Sequence, residues 1–336
     1  MYHAGVAGPP PESVRLAIAD VLPSNEVFMR PSWLAHLLTP LALLLGACSN
    51  GTGEEPPVNV TDDAHSLSFE TETFEVPPGD SFECFYTDTF TDREIAVWAA
   101  EGLQGPGGHH ILAYYTEVPR DPQHHPCDDA EMVSWHQLAG SSGDDVGEPV
   151  IELKEGMAIR VPAGVQLVLQ AHYINTTGAP YEVKDKVTLK LREAEEVSDY
   201  VNYFVTNDDS FEIPPQSEHT SVSYCTLEQD LDVVLSLGHL HEAGKHFKFE
   251  ILDDHGDVAQ TVRDDAWSPE MASHPNSDYY PRSAPLALKK GMKVRQTCTW
   301  ENTTSDPMLF PREMCVGFFY YAPGTGDLHC SMSKEL

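Results

Sequence analysis

The chain of 336 residues carries 53 acidic side chains against 20 basic ones, for a formal net charge of −33. Such a field repels polyanions, which argues against nucleic acid and anionic membrane surfaces as partners, and the acidity reads as a solvated, self-repelling surface. The length suggests about two domains.

Residues Trp33 to Ala47 are apolar and end in Leu45-Gly46-Ala47-Cys48. The run is shorter than the roughly 20 residues a membrane-spanning helix needs, and it fits the apolar core of an export signal with a small-residue cleavage site. Leu-Gly-Ala-Cys resembles a bacterial lipobox. That implies cleavage before Cys48, lipidation of that cysteine and, with Ser49 following, an anchor in the outer membrane. The other reading is an ordinary signal peptide. Met29 stands where such a signal should start, with Arg30 beside it, so residues 1–28 read as an upstream extension. The expected organisation is extension plus signal over 1–47, a flexible Gly- and Pro-containing tether over 48–65, and two domains over 66–197 and 198–336.

Export gives the cysteines meaning. With Cys48 set aside, Cys84, Cys127, Cys225, Cys298, Cys315 and Cys330 remain. An even number in an oxidising compartment predicts disulfides whose pairing the sequence leaves open. If pairs stay within halves of the chain, Cys84 and Cys127 must join.

From about Ser66 the pattern is β throughout. Short apolar alternations such as Val187 to Arg192 and His246 to Leu252 are broken by Pro-Gly, Gly-Asp and Asn-Thr-Thr signals. No helical period is sustained beyond the signal. An internal repeat is visible. Phe74-Glu75-Val76-Pro77-Pro78, followed by Cys84, recurs as Phe211-Glu212-Ile213-Pro214-Pro215, followed by Cys225. Gly164 to Thr177 lies over Gly291 to Thr304, matching Asn175-Thr176-Thr177 to Asn302-Thr303-Thr304. Gly107-Gly108-His109-His110 also aligns with Gly238-His239-Leu240-His241. The unit is about 130 to 140 residues. The expected fold is all-β: two tandem antiparallel β-sandwich domains, jelly-roll-like and stabilised by disulfides.

Histidines then stand out. His239 and His241 continue the parity of Val233, Leu235 and Leu237, so they extend the buried face of one strand. Imidazoles there are either satisfied by hydrogen bonds or hold a metal. Met314, or its rival Met308, would add a soft thioether and favour Cu(I) over zinc. In the first half His109 and His110 follow two glycines, with His172 further on. Adjacent strand residues face opposite ways, so both could bind one metal only where the backbone is irregular, which Gly107 and Gly108 permit. Three imidazoles suit copper or zinc. His124-His125 reads as an exposed loop pair. His246 and Glu242 beside His239-Leu240-His241 suggest a zinc hydrolase only if His246 has the right phase, and its strand alternation places it opposite the buried side.

His109-His110-Ile111-Leu112, Leu169-Gln170-Ala171-His172-Tyr173, His239 to Lys245 and Arg312-Glu313-Met314-Cys315-Val316 occur in this order. Together they resemble the signature segments of the copper type II, ascorbate-dependent monooxygenases, over roughly residues 66–332. The resemblance implies two coppers per chain. His109, His110 and His172 would hold the electron-transfer copper, and His239, His241 and Met314 the copper where dioxygen and substrate react. It also implies the disulfides Cys84–Cys127, Cys225–Cys330 and Cys298–Cys315, and a place for Gln170 beside the first copper, where it could fix an imidazole. Peptidylglycine-hydroxylating members carry an arginine where Leu237 stands, and an asparagine and a tyrosine where Val316 and Phe318 stand. A peptide C-terminus is therefore not the expected substrate. Val316, Phe318 and Phe319 suit a more apolar or aromatic molecule, although strand parity sends some of them away from the site.

The expected activity is C–H hydroxylation of a small substrate with dioxygen and an electron donor such as ascorbate. The alternative is a non-catalytic copper-binding or copper-buffering surface lipoprotein. A β-sandwich adhesin with unmetallated histidines is a third.

Overall fold

The computed structural model describes residues 58–335 apart from 133, 144–146, 273 and 311. The signal and lipidation readings, Cys48 included, lie outside the described residues. The fold is all-β, with multiple antiparallel sheets. Among the described residues no helix is long and apolar enough to cross a membrane.

The first half holds two large sheets. One orders its strands Val58–Asp62, Ser66–Thr71, Lys186–Arg192, Ile95–Leu103, Met157–Val161 and Asp199–Tyr200. The other orders Gln123–Pro126, Gly79–Phe90, Gln166–Asn175, Gly108–Thr116 and Trp135–Ser142. Residues 58–62, assigned to the tether by composition, form an edge strand with Val58 fully buried. The β-branched alternation Val58-Asn59-Val60 outweighs the neighbouring prolines. In the second half Ser217–Thr226, Lys293–Asn302, Gly244–Leu252 and Val258–Ala266 form a four-stranded sheet. A six-stranded sheet is built around Leu231–His239, Val316–Tyr321 and Asn202–Asn207. Among the described residues every ladder lies wholly before or wholly after Val201.

The six-stranded sheet of the second half is buried on both faces, which explains its near-continuous apolar runs. Tyr203, Val205, Leu235, Leu237, Val316 and Tyr320 join the core of the first half, with Phe85, Ile111 and Leu169. Phe204, Val233, Phe319 and Tyr321 pack instead with Phe247, Phe249 and Trp300. A register shift between Val233 and Leu235 breaks the single parity expected of that strand. Val233 turns to one core, while Leu235 and Leu237 turn toward the first half.

The repeat is realised atom for atom at its Asn-Thr-Thr segments. Asn175 Nδ2 donates to Val76 O and Ala179 O, while its Oδ1 accepts from the Thr177 amide and hydroxyl. Asn302 does the same with Ile213 O, Asp306 O and Thr304. Gly164 and Gly291, equivalent in the repeat, share φ of 86°. The histidine alignment does not hold. The shift that pairs His172 with His110 and Tyr173 with Gly108 recurs where Thr299 pairs with His246 and Trp300 with Gly244. The counterpart of Gly108-His109-His110 is therefore Gly244-Lys245-His246.

Three disulfides join Cys84 to Cys127, Cys225 to Cys330 and Cys298 to Cys315. By loop length they contribute about 3–5 kcal/mol each through restriction of the unfolded chain.

Candidate metal centre

His110 and His172 sit opposite each other on paired strands and project from the same face. In regular pairing His109 would point away. The register shift leaves it as the extra residue of a bulge, after Gly107 at φ 80°, and so turns it back toward the other two. One nitrogen from each of His109, His110 and His172 can be chosen so that all lie within 4.8 Å of one another. The ring centroids are 4.7–5.3 Å apart.

The hydrogen bonds select the nitrogens. His172 Nε2 donates to Asp80 Oδ1 at 2.6 Å, and its ring stacks on Phe82. Its Nδ1 is buried without a hydrogen-bond partner. A buried, unpartnered lone pair aimed among imidazoles is what a metal ligand requires and what a satisfied core histidine lacks. The Nδ1 atoms of His109 and His110 lie 3.2 Å apart. Burial pushes His109 down to about 4 and His110 well below the usual imidazole value. Both are thus neutral at physiological pH, the form that binds metal. The hydrogen bond from His172 holds the Asp80 carboxyl below its ordinary value. These residues fit copper or another imidazole-loving metal.

The second set lies where strand Leu231–His239 ends. His239 pairs with Val316, which opens strand Val316–Tyr321 two residues after Met314. His239 and His241 rings are 5.1 Å apart and edge-on, and burial holds His239 down to about 3. His241 Nδ1 donates to Arg312 O at 3.0 Å, which leaves Nε2 as the free lone pair. Met314 is partly buried against the first core. Glu313 fastens this corner. It is 2% exposed and accepts from the backbone N–H of His241 at 3.1 Å and of Ala243 at 2.7 Å. Burial raises its pKa, and the two amides compensate in part. Cys315, one residue beyond Met314, is tied to Cys298 and accepts at its carbonyl from Gln296.

The two sets lie close together: His109 Nε2 is 3.7 Å from Oε1 of Glu242, the residue after His241. Asp80 and Glu313 were not singled out from the sequence. Asp80 gave no signal there, whereas a lone carboxylate between Arg312 and Met314-Cys315 in an apolar segment is one.

Other candidates resolve differently. Gln170 is buried but bonds to Tyr114 Oη and Met132 Sδ, so the expected imidazole contact is replaced. Gln123–Pro126 is a strand rather than a loop, with His124 bonded to Glu83 and His125 3.6 Å from Glu131. Pairing with the long strand Gly79–Phe90, tied by Cys84–Cys127, orders that segment. His246 pairs with Asp264, and Met308 lies in the second core. Leu237 is buried in the first core, and Phe318 lies beside His239.

None of the curated proteins matches this chain. Among solved structures it is similar to a recombinant N-glycanase F (PNGase F) at 10% identity and TM-score 0.34, covering 83% of this chain and 97% of that one. It is also similar to a β-porphyranase of glycoside hydrolase family 86 from Bacteroides plebeius at 9% identity and TM-score 0.19, covering 82% of this chain and 38% of that one. Likenesses this weak carry no argument. Residues 200–335, which contain His239, His241 and Met314, match the copper type II ascorbate-dependent monooxygenase, C-terminal domain, and it is to that family that this part of the chain is similar.

Proposed function

We propose that the protein is a copper-dependent monooxygenase that hydroxylates a C–H bond of a small molecule with dioxygen and an external reductant such as ascorbate. The carrying observation is the convergence of His109, His110 and His172 on one point, close to His239 and His241 in a segment similar to this family. In this reading the sheets form two tandem jelly-roll-like sandwiches, the first starting at Val58 and the second at about Val201, each holding one copper. His109, His110 and His172 bind the electron-transfer copper. His239, His241 and Met314 bind the one that meets dioxygen and substrate.

Bound copper supplies one-electron redox chemistry and dioxygen activation; the chain supplies ligands and surroundings. Burial keeps His109, His110 and His239 neutral. Asp80 and the Arg312 carbonyl hold protons on the remote nitrogens of His172 and His241, leaving the near ones to bind. The Met314 thioether favours the reduced ion. Leu237, Val316 and Phe318 offer no cation to a carboxylate, whose unpaired burial would cost several kcal/mol. An apolar or aromatic substrate fits better. Lipidation at Cys48 would anchor the enzyme in the outer membrane, with the membrane reached only through that lipid.

The test is oxygen consumption by copper-loaded protein with ascorbate and a panel of apolar and aromatic substrates. Substrate-dependent uptake that the His239→Ala variant lacks is expected. Tight copper binding without uptake on any substrate would contradict turnover and return the buffering role.

A further inference from the structure

The two nitrogens of His109 have different partners. Its Nδ1 lies 3.2 Å from His110 Nδ1, inside the trio, while Nε2 is 3.7 Å from Glu242 Oε1. Glu242 belongs to the other half of the chain and directly follows His241. The equivalent contact at His172 is made by Asp80, from the same half as His172. Two imidazoles of one trio are thus backed by carboxylates from opposite halves. His109 is also the bulge residue, the member of the trio that the strand ladder pins least.

We propose that Glu242 is a positioning residue for His109, and that through it copper loading of the first centre is coupled to the packed arrangement of the two halves. The proposal rests on the copper reading given above. At 3.7 Å the contact is within ion-pair range and beyond a direct hydrogen bond. The Glu242 side chain is 44% exposed, so a small torsional change closes the gap. A metal held at Nδ1 would draw electron density from the imidazole and make its Nε2–H a stronger donor to the carboxylate. The carboxylate in turn fixes the tautomer and raises the basicity of Nδ1. Because Glu242 reaches His109 only when the halves are packed together, packing favours loading. By reciprocity loading favours packing by the same factor. The contact also joins a ligand of one set to a ligand of the other through one peptide step, from His241 to Glu242 to His109.

The experiment uses the full mature chain with Glu242→Ala and Glu242→Gln. First-centre Cu(I) affinity is measured by competition with a chromophoric chelator in a His239→Ala background, so that the second centre does not contribute. The distance distribution between the two Cu(II) ions of the doubly loaded protein is measured by pulsed dipolar EPR. Glu242→Ala is expected to weaken first-centre affinity by about tenfold, as outer carboxylates on metal-bound histidines do. It is also expected to lengthen or broaden the copper–copper distance. Glu242→Gln, which keeps an acceptor oxygen, should recover most of both. An unchanged first-centre affinity overturns the positioning role, and an unchanged distance distribution overturns the coupling. A parent protein that binds no copper sinks the copper reading and this one together. A copper-loaded parent with indifferent variants sinks this one alone.

Discussion

Asp80 and Glu313 decide how the histidines present themselves, although neither is a ligand in this account. Asp80 accepts from His172 Nε2, and its removal would free the ring to turn and the tautomer to exchange. Asp80→Asn should weaken first-centre copper binding by about tenfold while leaving the second centre intact, read by chelator competition at each site. Glu313 joins the His241 turn to the Met314 segment through buried amides. Glu313→Ala takes the acceptor from the amides of His241, Ala243 and Met314, so urea denaturation should show a loss of about 2–4 kcal/mol, with second-centre copper lost as well. A loss below about 0.5 kcal/mol, typical of surface changes, would contradict the clamp. The gathering of His109, His110 and His172 and the nearness of His239 to His241 were legible in the sequence because His-His after Gly-Gly and His-x-His are short local patterns. Their supports were not, because Asp80 meets His172 only through strand pairing.

At the scale of elements, the bulge is the decisive device. Gly107 and Gly108 announced irregular backbone, and the register shift at Tyr173 supplies it, so adjacent histidines turn into one cluster with His172. The same shift in the second half presents Lys245 and His246 and, among the described residues, builds no comparable trio. The sequence alignment of the two histidine pairs was therefore misleading. His239 and His241 stand at the end of Leu231–His239, whereas the first pair stands at the start of Gly108–Thr116. Residue likeness cannot reveal strand direction. The Asn-Thr-Thr segments, by contrast, are self-contained hydrogen-bond units and read true in both halves. Asn175→Ala and Asn302→Ala each remove two donated and two accepted bonds at a buried position. They should destabilise by similar amounts, about 2–3 kcal/mol in urea titrations. A much larger effect in one half would argue against equivalent roles.

At the scale of the molecule, the packing of one half on the other sets the distance between the histidine sets, and a polar clamp contributes to it. His136 Nδ1, from the first half, donates to Asp327 Oδ2 in the second at 2.8 Å. Tyr115 stacks on the His136 ring, Asn202 also donates to Asp327, and Glu117 and Tyr203 add to the local field. The Asp327 hydrogen bond raises His136 above its ordinary 6.5. Burial opposes ionisation of Asp327, yet the bonds from His136 and Asn202 leave it below its ordinary 3.8. The His136 contribution is complete below 6.5 and is lost as pH rises through its raised value. The Asp327 contribution is complete above 3.8 and is lost as pH falls through its lowered value. The stability difference between the parent protein and His136→Gln, followed by denaturation against pH, should therefore plateau from about 4 to 6.5 and shrink above it. A difference that grows with alkaline pH would contradict the clamp.

The central claim is that two ligand sets, three residues each, hold one copper apiece. Copper per chain in the reduced, dialysed protein tests it most directly, in the parent, in His172→Ala and in Met314→Ala. Two coppers in the parent, falling to one in each variant, is the expected result. Unchanged copper in both variants, or none in the parent, would contradict it.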